Sequence, residues 1–411
     1  MRKILTVVGT RPELIKMSLV IAKLDRLCHH VLVHTGQNFD FELSQIFLDD
    51  LEIREPDYFL GVAAGNRAET IGRIIIEADR VFQREAPDAV LIYGDTNSGL
   101  SVIPAKHRKI PIFHMEAGNR CFDQRVPEEL NRRLIDHLSD VNMVLTEHAR
   151  RYLLAEGLSG ERIFKTGSHL PEVLNHFRSK IQSSRILESL CLQQDRFFLV
   201  SAHREENVDS RERLAQLLKS LNAIVDHYQF PIVVSTHPRT RQRMSDLPYE
   251  PSPLVRFLPP FGFTDYIRLQ SSAYCVISDS GTITEEASLL DFPAVMIREA
   301  HERPEGMDAG TLVMCSMHAE DLLCAITVVR DGIADQRFAG SVPDYNGGEV
   351  ASKVVRIVMS YIDVVNRVVW SKPPGAASPT GTDREVSVHE KRRTHSPSTS
   401  SHDGGPQERQ S

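Results

Sequence analysis

The sequence predicts an α/β protein of two doubly wound, Rossmann-like domains facing a central cleft. Three observations carry this expectation. Short β-branched runs alternate with longer amphipathic segments, the runs are apolar throughout rather than on alternate residues, and the series starts twice within 411 residues. Near-continuous apolar strands separated by helices indicate parallel sheets covered on both faces. A chain of this length also exceeds the roughly 250–300 residues that one hydrophobic core sustains.

The first series places strands at 4–8, 31–34, 89–93, 110–113 and 141–145. The second places them at 197–201, 232–235, 255–258, 275–278 and 294–297. Helical stretches such as 68–83 and 211–227 lie between them. The strand rhythm pauses over 167–195, where a polar helical connector (171–192) intervenes, so the two domains are drawn as 1–169 and 170–350. A last amphipathic helix pair is expected over 351–370. From 372 onward Pro, Ser, Thr, Gly and charged residues dominate. Such a tail, 372–411, cannot bury enough apolar surface to offset its ordering entropy and is expected to be disordered. Its Lys391-Arg392-Arg393 cluster reads either as a docking patch or as part of a solvated tail.

Hydrophobic content of 41% and charged content of 25% are ordinary for a globular protein. A net charge of −7 argues against a general nucleic-acid binder, which would carry a basic face. The six cysteines form no C-x-x-C pair, so neither a zinc ribbon nor a redox motif is expected, and reduced thiols suit a cytoplasmic protein. The opening run Ile4-Leu5-Thr6-Val7-Val8 is too short for a signal peptide and reads as a first strand. No stretch approaches the ~20 apolar residues of a membrane span.

The chemically suggestive residues fall just past the carboxyl ends of the predicted strands, the edge where open parallel sheets bind ligands. After the first strand comes Gly9-Thr10-Arg11-Pro12-Glu13, followed by Lys16. Thr10 and Glu13 have capping-box spacing and Pro12 suits a first helical turn, so this is an anion site beside Arg11 or a plain helix cap. Gly94-Asp95-Thr96-Asn97 and His114-Met115-Glu116-Ala117-Gly118 end later strands, with Pro127-Glu128-Glu129 close behind. Carboxylates Asp95, Glu116 and Glu128 would then converge, and crowded like charges separate an acid from a base. The bland alternative makes Asp95 and Glu128 caps and pairs Glu116 with Arg120 or Arg132.

In the second series, Ser201-Ala202-His203-Arg204-Glu205 and Ser235-Thr236-His237 end strands, each histidine being an acid/base candidate or a structural hydrogen-bonder. Asp279-Ser280-Gly281-Thr282-Ile283-Thr284-Glu285-Glu286 reads as strand, small-residue turn and helix. Its backbone N–H groups at Ser280, Gly281 and Thr282 suit a diphosphate, and Glu286 lies one turn in, placed for ribose hydroxyls. Arg298-Glu299-Ala300-His301-Glu302-Arg303-Pro304-Glu305-Gly306 is a charged loop at the same edge. No Walker loop and no G-x-G-x-x-G fingerprint follows a strand, so no nicotinamide seat is expected. No H-x-x-x-H or H-E-x-x-H pair occurs in these motifs, so no metal is expected either.

As a set, these motifs resemble the non-hydrolysing UDP-N-acetylglucosamine 2-epimerase family. The signatures are Gly9 to Glu13, Gly36-Gln37, Gly94-Asp95-Thr96, His114 to Gly118, Pro127 to Arg132, His203-Arg204, Asp279 to Glu286 and Glu302-Arg303-Pro304-Glu305, spanning residue 1 to about 370. The resemblance implies a GT-B-like arrangement whose C-terminal helix, about 352–370, packs back on the first domain. It implies elimination of UDP and its re-addition through a glycal, with no cofactor, and a UDP-sugar as the small-molecule partner. It also implies a catalytic set of Asp95, Glu116, Glu128 and His203. Arg11, Lys16, Ser280, Gly281, Thr282 and Glu286 would bind substrate, with Tyr266 near the uracil. A homodimer is expected, with no membrane or nucleic-acid partner. The chain departs from the broad family at Asn38, Glu205 and Thr282 and in the loop 119–125. With 298–306, these variants resemble the branch that makes UDP-N-acetyl-L-fucosamine for capsule or O-antigen assembly. The competing readings are the parent UDP-N-acetylglucosamine reaction, a GT-B glycosyltransferase and a non-catalytic sugar-nucleotide sensor.

Overall fold

The computed structural model describes residues 1–37, 48, 50–236, 238–244, 247, 249–334 and 340–373. Two parallel sheets organise them. The first contains β1 (Lys3–Val8), β2 (His29–His34), β3 (Tyr58–Phe59), β4 (Ala89–Tyr93), β5 (Ile112–Met115), β6 (Val141–Val144) and β7 (Ile163–Lys165), in the order β3-β2-β1-β4-β5-β6-β7. The second contains β8 (Phe198–Ser201), β9 (Ile232–Ser235), β10 (Val255–Leu258), β11 (Cys275–Ser278), β12 (Ala294–Met296) and β13 (Val313–Met314), in the order β10-β9-β8-β11-β12-β13. Every pairing among them is parallel. The two-domain α/β fold is the one expected from the sequence.

Each sheet reverses its winding once. β1 lies between β2 and β4, and β8 lies between β9 and β11. Crevices open at such switch points, beyond the carboxyl ends of the diverging strands. The residues there are Gly9 to Arg11 and Gly94-Asp95 in the first domain, and Ala202-His203 and Asp279 to Gly281 in the second.

β3, β7 and β13 are two or three residues long and carry no readable period, which is why the sequence pattern misses them. β5 begins at Ile112 rather than Ile110, because the Ile110 N–H closes the preceding helix on Ala105 and Pro111 has no N–H to give the ladder. The expected C-terminal helix pair is a single helix, Val350–Val368, with no Gly or Pro inside it to break it. Its buried face includes Val350, Val354, Val358, Ile362 and Val365, spaced at three or four residues. That face joins Ile4, Leu14, Met17 and Ile21 in the first core and packs on the helix Arg11–Leu27. The connector consists of helices Leu170–His176, Arg178–Ser183 and Ile186–Ser189. It is less polar in effect than its composition suggests, since Leu170, Val173, Leu174 and Phe177 pack into the same first core.

The chain passes between the domains twice, and the passages lie side by side. Ser168 pairs with Asn346, and its N–H donates to Tyr345 O at 3.1 Å. Gly167 has φ +83, and a Cβ there would lie 2.5 Å from Gly347 Cα, so both the dihedral and the contact require glycine. The expected disordered tail falls outside the described residues beyond Pro373.

Candidate active site

The helix Arg11–Leu27 starts immediately after β1, with Arg11 at its first turn. Glu13 folds back on that turn, accepting the Gly9 N–H at 2.6 Å and the Thr10 N–H at 3.0 Å. Its other oxygen accepts the Thr96 hydroxyl at 2.5 Å. One carboxyl therefore ties the Arg11 loop to the Asp95 loop. Burial raises its pKa to about 7, against the pull of these three donors, and the neighbouring Asp95 adds to the rise.

Asp95 follows Gly94, whose φ of +65 turns the chain sharply out of β4. The Asp95 side chain keeps 24% of its surface open, and one oxygen lies 2.7 Å from an Arg132 guanidinium nitrogen. Burial still raises its pKa; Arg132 opposes that, while Glu116, Glu128 and Glu302 reinforce it. Arg132 is itself oriented by fully buried Glu129 at 3.2 Å. Glu128 stands one residue earlier, in the first turn of the helix Pro127–Leu138. Neither alternative partner claims Glu116, because Arg120 binds Asp136 and Glu156 while Arg132 binds Asp95 and Glu129. His114 is structural, with its ring nitrogens engaged by Asp136 at 2.8 Å and by Gly94 O at 2.8 Å.

Glu116 sits at φ +60, a left-handed conformation uncommon for a residue with a side chain. Three partners hold it there. Lys16 Nζ donates to it at 2.6 Å, the Tyr93 hydroxyl donates to the same oxygen, and Arg303 lies 3.3 Å from the other. Glu285 of the second domain completes the cluster, 3.2 Å from Lys16 and 3.2 Å from Arg303, and accepts the Ser168 hydroxyl. Burial opposes ionisation of Glu116, but Lys16 and Arg303 overcome it and hold the pKa down at about 2. Two cations and two carboxylates thus join the domains at the cleft floor. His169 abuts the cluster, buried, its ring edge-on to Tyr93 at 5.5 Å.

On the opposite wall, fully buried Asp279 accepts the backbone N–H groups of His203 (3.1 Å) and Arg204 (3.0 Å) and the Asn207 side-chain amide (3.0 Å). His203 Nδ1 is 3.2 Å from the same carboxylate, and 53% of the side chain is exposed. That pairing leaves Nε2 directed away from Asp279. At the expected diphosphate turn, Ser280 N–H donates to Ser278 Oγ at 3.0 Å and Thr282 N–H to Ser280 Oγ at 3.3 Å. The Thr282 hydroxyl donates to Glu286 at 2.7 Å, a bond that a glycine at this position could not make. Gln270 donates to the other Glu286 oxygen at 2.6 Å. Tyr266 shares a hydrogen bond with Ser201, and burial raises its pKa. Tyr266 is therefore beside the end of β8, near Glu286. His237 and Asn38 lie outside the described residues.

This arrangement brings Asp95, Glu116 and Glu128 together on one wall and His203 with the Ser280 turn on the other. Residues 22–359 match the family described as UDP-N-acetylglucosamine 2-epimerase. The chain belongs to that family.

A solved UDP-N-acetylglucosamine 2-epimerase from Rickettsia bellii is 56% identical, with a TM-score of 0.84 over 90% of this chain and all (100%) of that one. The Methanocaldococcus jannaschii UDP-GlcNAc 2-epimerase in complex with UDP-GlcNAc and UDP is 30% identical, with a TM-score of 0.81, covering 87% of this chain and 99% of that one. A Pseudomonas aeruginosa UDP-2,3-diacetamido-2,3-dideoxy-D-glucuronate 2-epimerase is 34% identical over 86% of this chain and 98% of its own. The epimerase is therefore an isomerase acting at carbon 2 of a UDP-linked sugar. Sequence reasoning did not single out Glu13, Glu285, Arg303, Glu302 or Arg132 as members of its site. For Glu285 and Arg303 a signal existed, because each is a charge lying within a motif already placed at the cleft edge. Among the described residues, no group of three or more His, Cys, Asp and Glu side chains could hold a metal ion, and no helix is long and apolar enough to cross a membrane.

Proposed function

We propose that the enzyme converts UDP-2-acetamido-2,6-dideoxy-L-talose to UDP-N-acetyl-L-fucosamine for capsule or O-antigen assembly. The route is elimination of UDP to a glycal followed by re-addition. A proton on carbon 2 of an acetamido sugar is not acidic, since no carbonyl is conjugated to it. In the elimination a base takes that proton, the C–H electrons form the C1–C2 double bond, and the C1–O electrons leave with UDP. Re-addition reverses these shifts with the proton delivered to the opposite face. No electron is gained or lost overall, so neither nicotinamide nor metal is required.

The observation that supports this reading is one cleft edge bringing the carboxyls Asp95 and Glu128 close together, with Asp95 pushed up by burial and by its like-charged neighbours. Crowded like charges of this kind separate an acid from a base. Asp95 and Glu128 exchange the carbon 2 protons. Glu116 stays ionised and fixes Lys16 and Arg303 at the cleft floor. His203, oriented by Asp279, acts with Arg11 on the charge of the departing diphosphate. Ser280, Gly281 and Thr282 hold phosphate, Glu286 the ribose, and Tyr266 lies beside the uracil. Domains 1–169 with 352–370, and 170–350, close over the glycal and keep water from trapping it.

The sugar assignment rests on the two loops that distinguish this chain from the broad family. Asp123 and Arg125 in one lie near enough to Glu299 in the other for their charges to interact. The second reading is the parent conversion of UDP-N-acetylglucosamine to UDP-N-acetylmannosamine, favoured by the activity named for the Rickettsia protein. The test is proton NMR of each candidate UDP-sugar turned over in D₂O by protein stripped with charcoal and chelator. Deuterium at carbon 2 of the product is expected, with the L-talose derivative the better substrate. Inversion without deuterium would overturn the mechanism, and preference for UDP-N-acetylglucosamine would overturn the sugar assignment alone.

A further inference from the structure

Gly281 makes room for a side chain from the neighbouring loop. A Cβ at 281 would collide with Glu302 Oε1 and stand 3.5 Å from a terminal Arg298 nitrogen. Both side chains are withdrawn from solvent, 1% exposed for Arg298 and 10% for Glu302. They are also poorly matched. Arg298 and Glu302 approach to 2.9 Å, yet no Arg298 nitrogen and not the facing Glu302 oxygen makes a directed hydrogen bond among the described residues. A guanidinium carries five donors in a planar fork, and leaving them unmet in a buried place is unfavourable. Arg204 lies 3.5 Å from the other Glu302 oxygen, and Arg132 of the first domain interacts with Glu302 across the cleft. One carboxylate therefore faces three guanidinium groups, beside the turn assigned above to the diphosphate.

We propose that Glu302 is a resident counter-anion which the diphosphate of the UDP-sugar displaces, and that Arg298 is thereby a substrate-binding residue. This rests on the UDP-sugar reading of the cleft. A diphosphate offers more oxygens and more charge than one carboxylate, and it can meet a guanidinium fork with two parallel hydrogen bonds, which the present pairing does not achieve. Glu302 lies in the loop just before Arg303 and the helix Pro304–Ala309, and its release is a movement of the side chain away from Arg298. The exchange serves the reaction. UDP must be retained while detached from the glycal, yet must leave with the product, and a tethered competitor lowers its apparent affinity by a fixed factor without altering the contacts it makes once bound.

Isothermal titration of the full chain with UDP and with uridine separates the outcomes. Glu302→Gln should bind UDP at least ~10-fold tighter than wild type, and Arg298→Lys at least ~10-fold weaker, each with uridine affinity unchanged. Wild-type protein that binds no UDP would overturn the UDP-sugar reading and this one with it. Wild type that binds UDP, combined with unchanged or weaker binding by Glu302→Gln, would overturn this proposal alone. Should either variant fail to fold, a crystal structure of the wild type with UDP decides. Arg298 nitrogens on phosphate oxygens with Glu302 turned away are expected, and Glu302 still seated against Arg298 would overturn it.

Discussion

Asp95 and Glu116 are both partly buried carboxyls that face cations, yet desolvation wins at one and charge at the other. Asp95 meets a single guanidinium and three like charges, whereas Glu116 meets two cations and a phenol. Asp95→Asn and Glu128→Gln should each lower turnover by at least ~10²-fold, the scale of a lost acid/base group, with UDP affinity nearly unchanged. Steady-state rates and UDP titration check both halves. Glu13 gives a different expectation, because its pKa rises from 4.5 to about 7 on folding. The folded state then binds more protons than the unfolded one between those values, so the stability this group contributes is full below pH 4.5 and is lost as pH climbs to 7. Buried His34 and His169, both pushed down to about 4, act in the opposite sense, lowering stability as pH falls from 6.5 to 4. Urea unfolding of wild type and Glu13→Gln at pH 5 and 7.5 isolates the carboxyl: relative to wild type, the variant should gain stability at pH 7.5 over pH 5. Equal differences at both pH values would show that Glu13 does not titrate there. Arg11, Asp95, His203 and Ser280 were legible as cleft residues because strand ends locate a sheet edge. Their partners were not, since Lys16 meets Glu285 from 269 positions away and no local spacing encodes that.

Among the elements, the parallel strands were readable from runs such as 4–8 and 89–93, whose burial on both faces forbids alternation. The edge strands β3 and β13 were not, because two residues carry no period. The paired passages at Gly167 and Gly347 were equally invisible, since a close backbone approach leaves no mark on either segment alone. Gly167→Ala tests that pairing. It places a side chain at φ +83 and against the Gly347 backbone, so it should destabilise by about 2–4 kcal/mol, combining left-handed strain with the clash. Chemical denaturation measures this, and a loss below about 0.5 kcal/mol would show that the two passages separate freely.

For the whole molecule, two domains and their facing edges followed from chain length and from a strand series that starts twice. What ties the halves together did not follow, because it depends on charges and apolar faces brought in from both ends of the chain. Lys16 and Glu116 in one half close on Glu285 and Arg303 in the other, and Phe263 and Ile267 of the second half enter the first core. The helix Val350–Val368 has a consequence for the order of events during synthesis. Its apolar face shares a core with Ile4, Leu14 and Met17, so that first helix and strand must wait for a helix made long after them. At the ~5–20 residues per second of translation, and with domains generally folding as units from the N-terminus, that delay amounts to tens of seconds. During that interval the second sheet, whose core is drawn from residues 192–329, is already complete in the emerging chain. On the ribosome the first half has all its strands by Lys165, yet it closes only when the helix Val350–Val368 is released, after the second half already has its whole core.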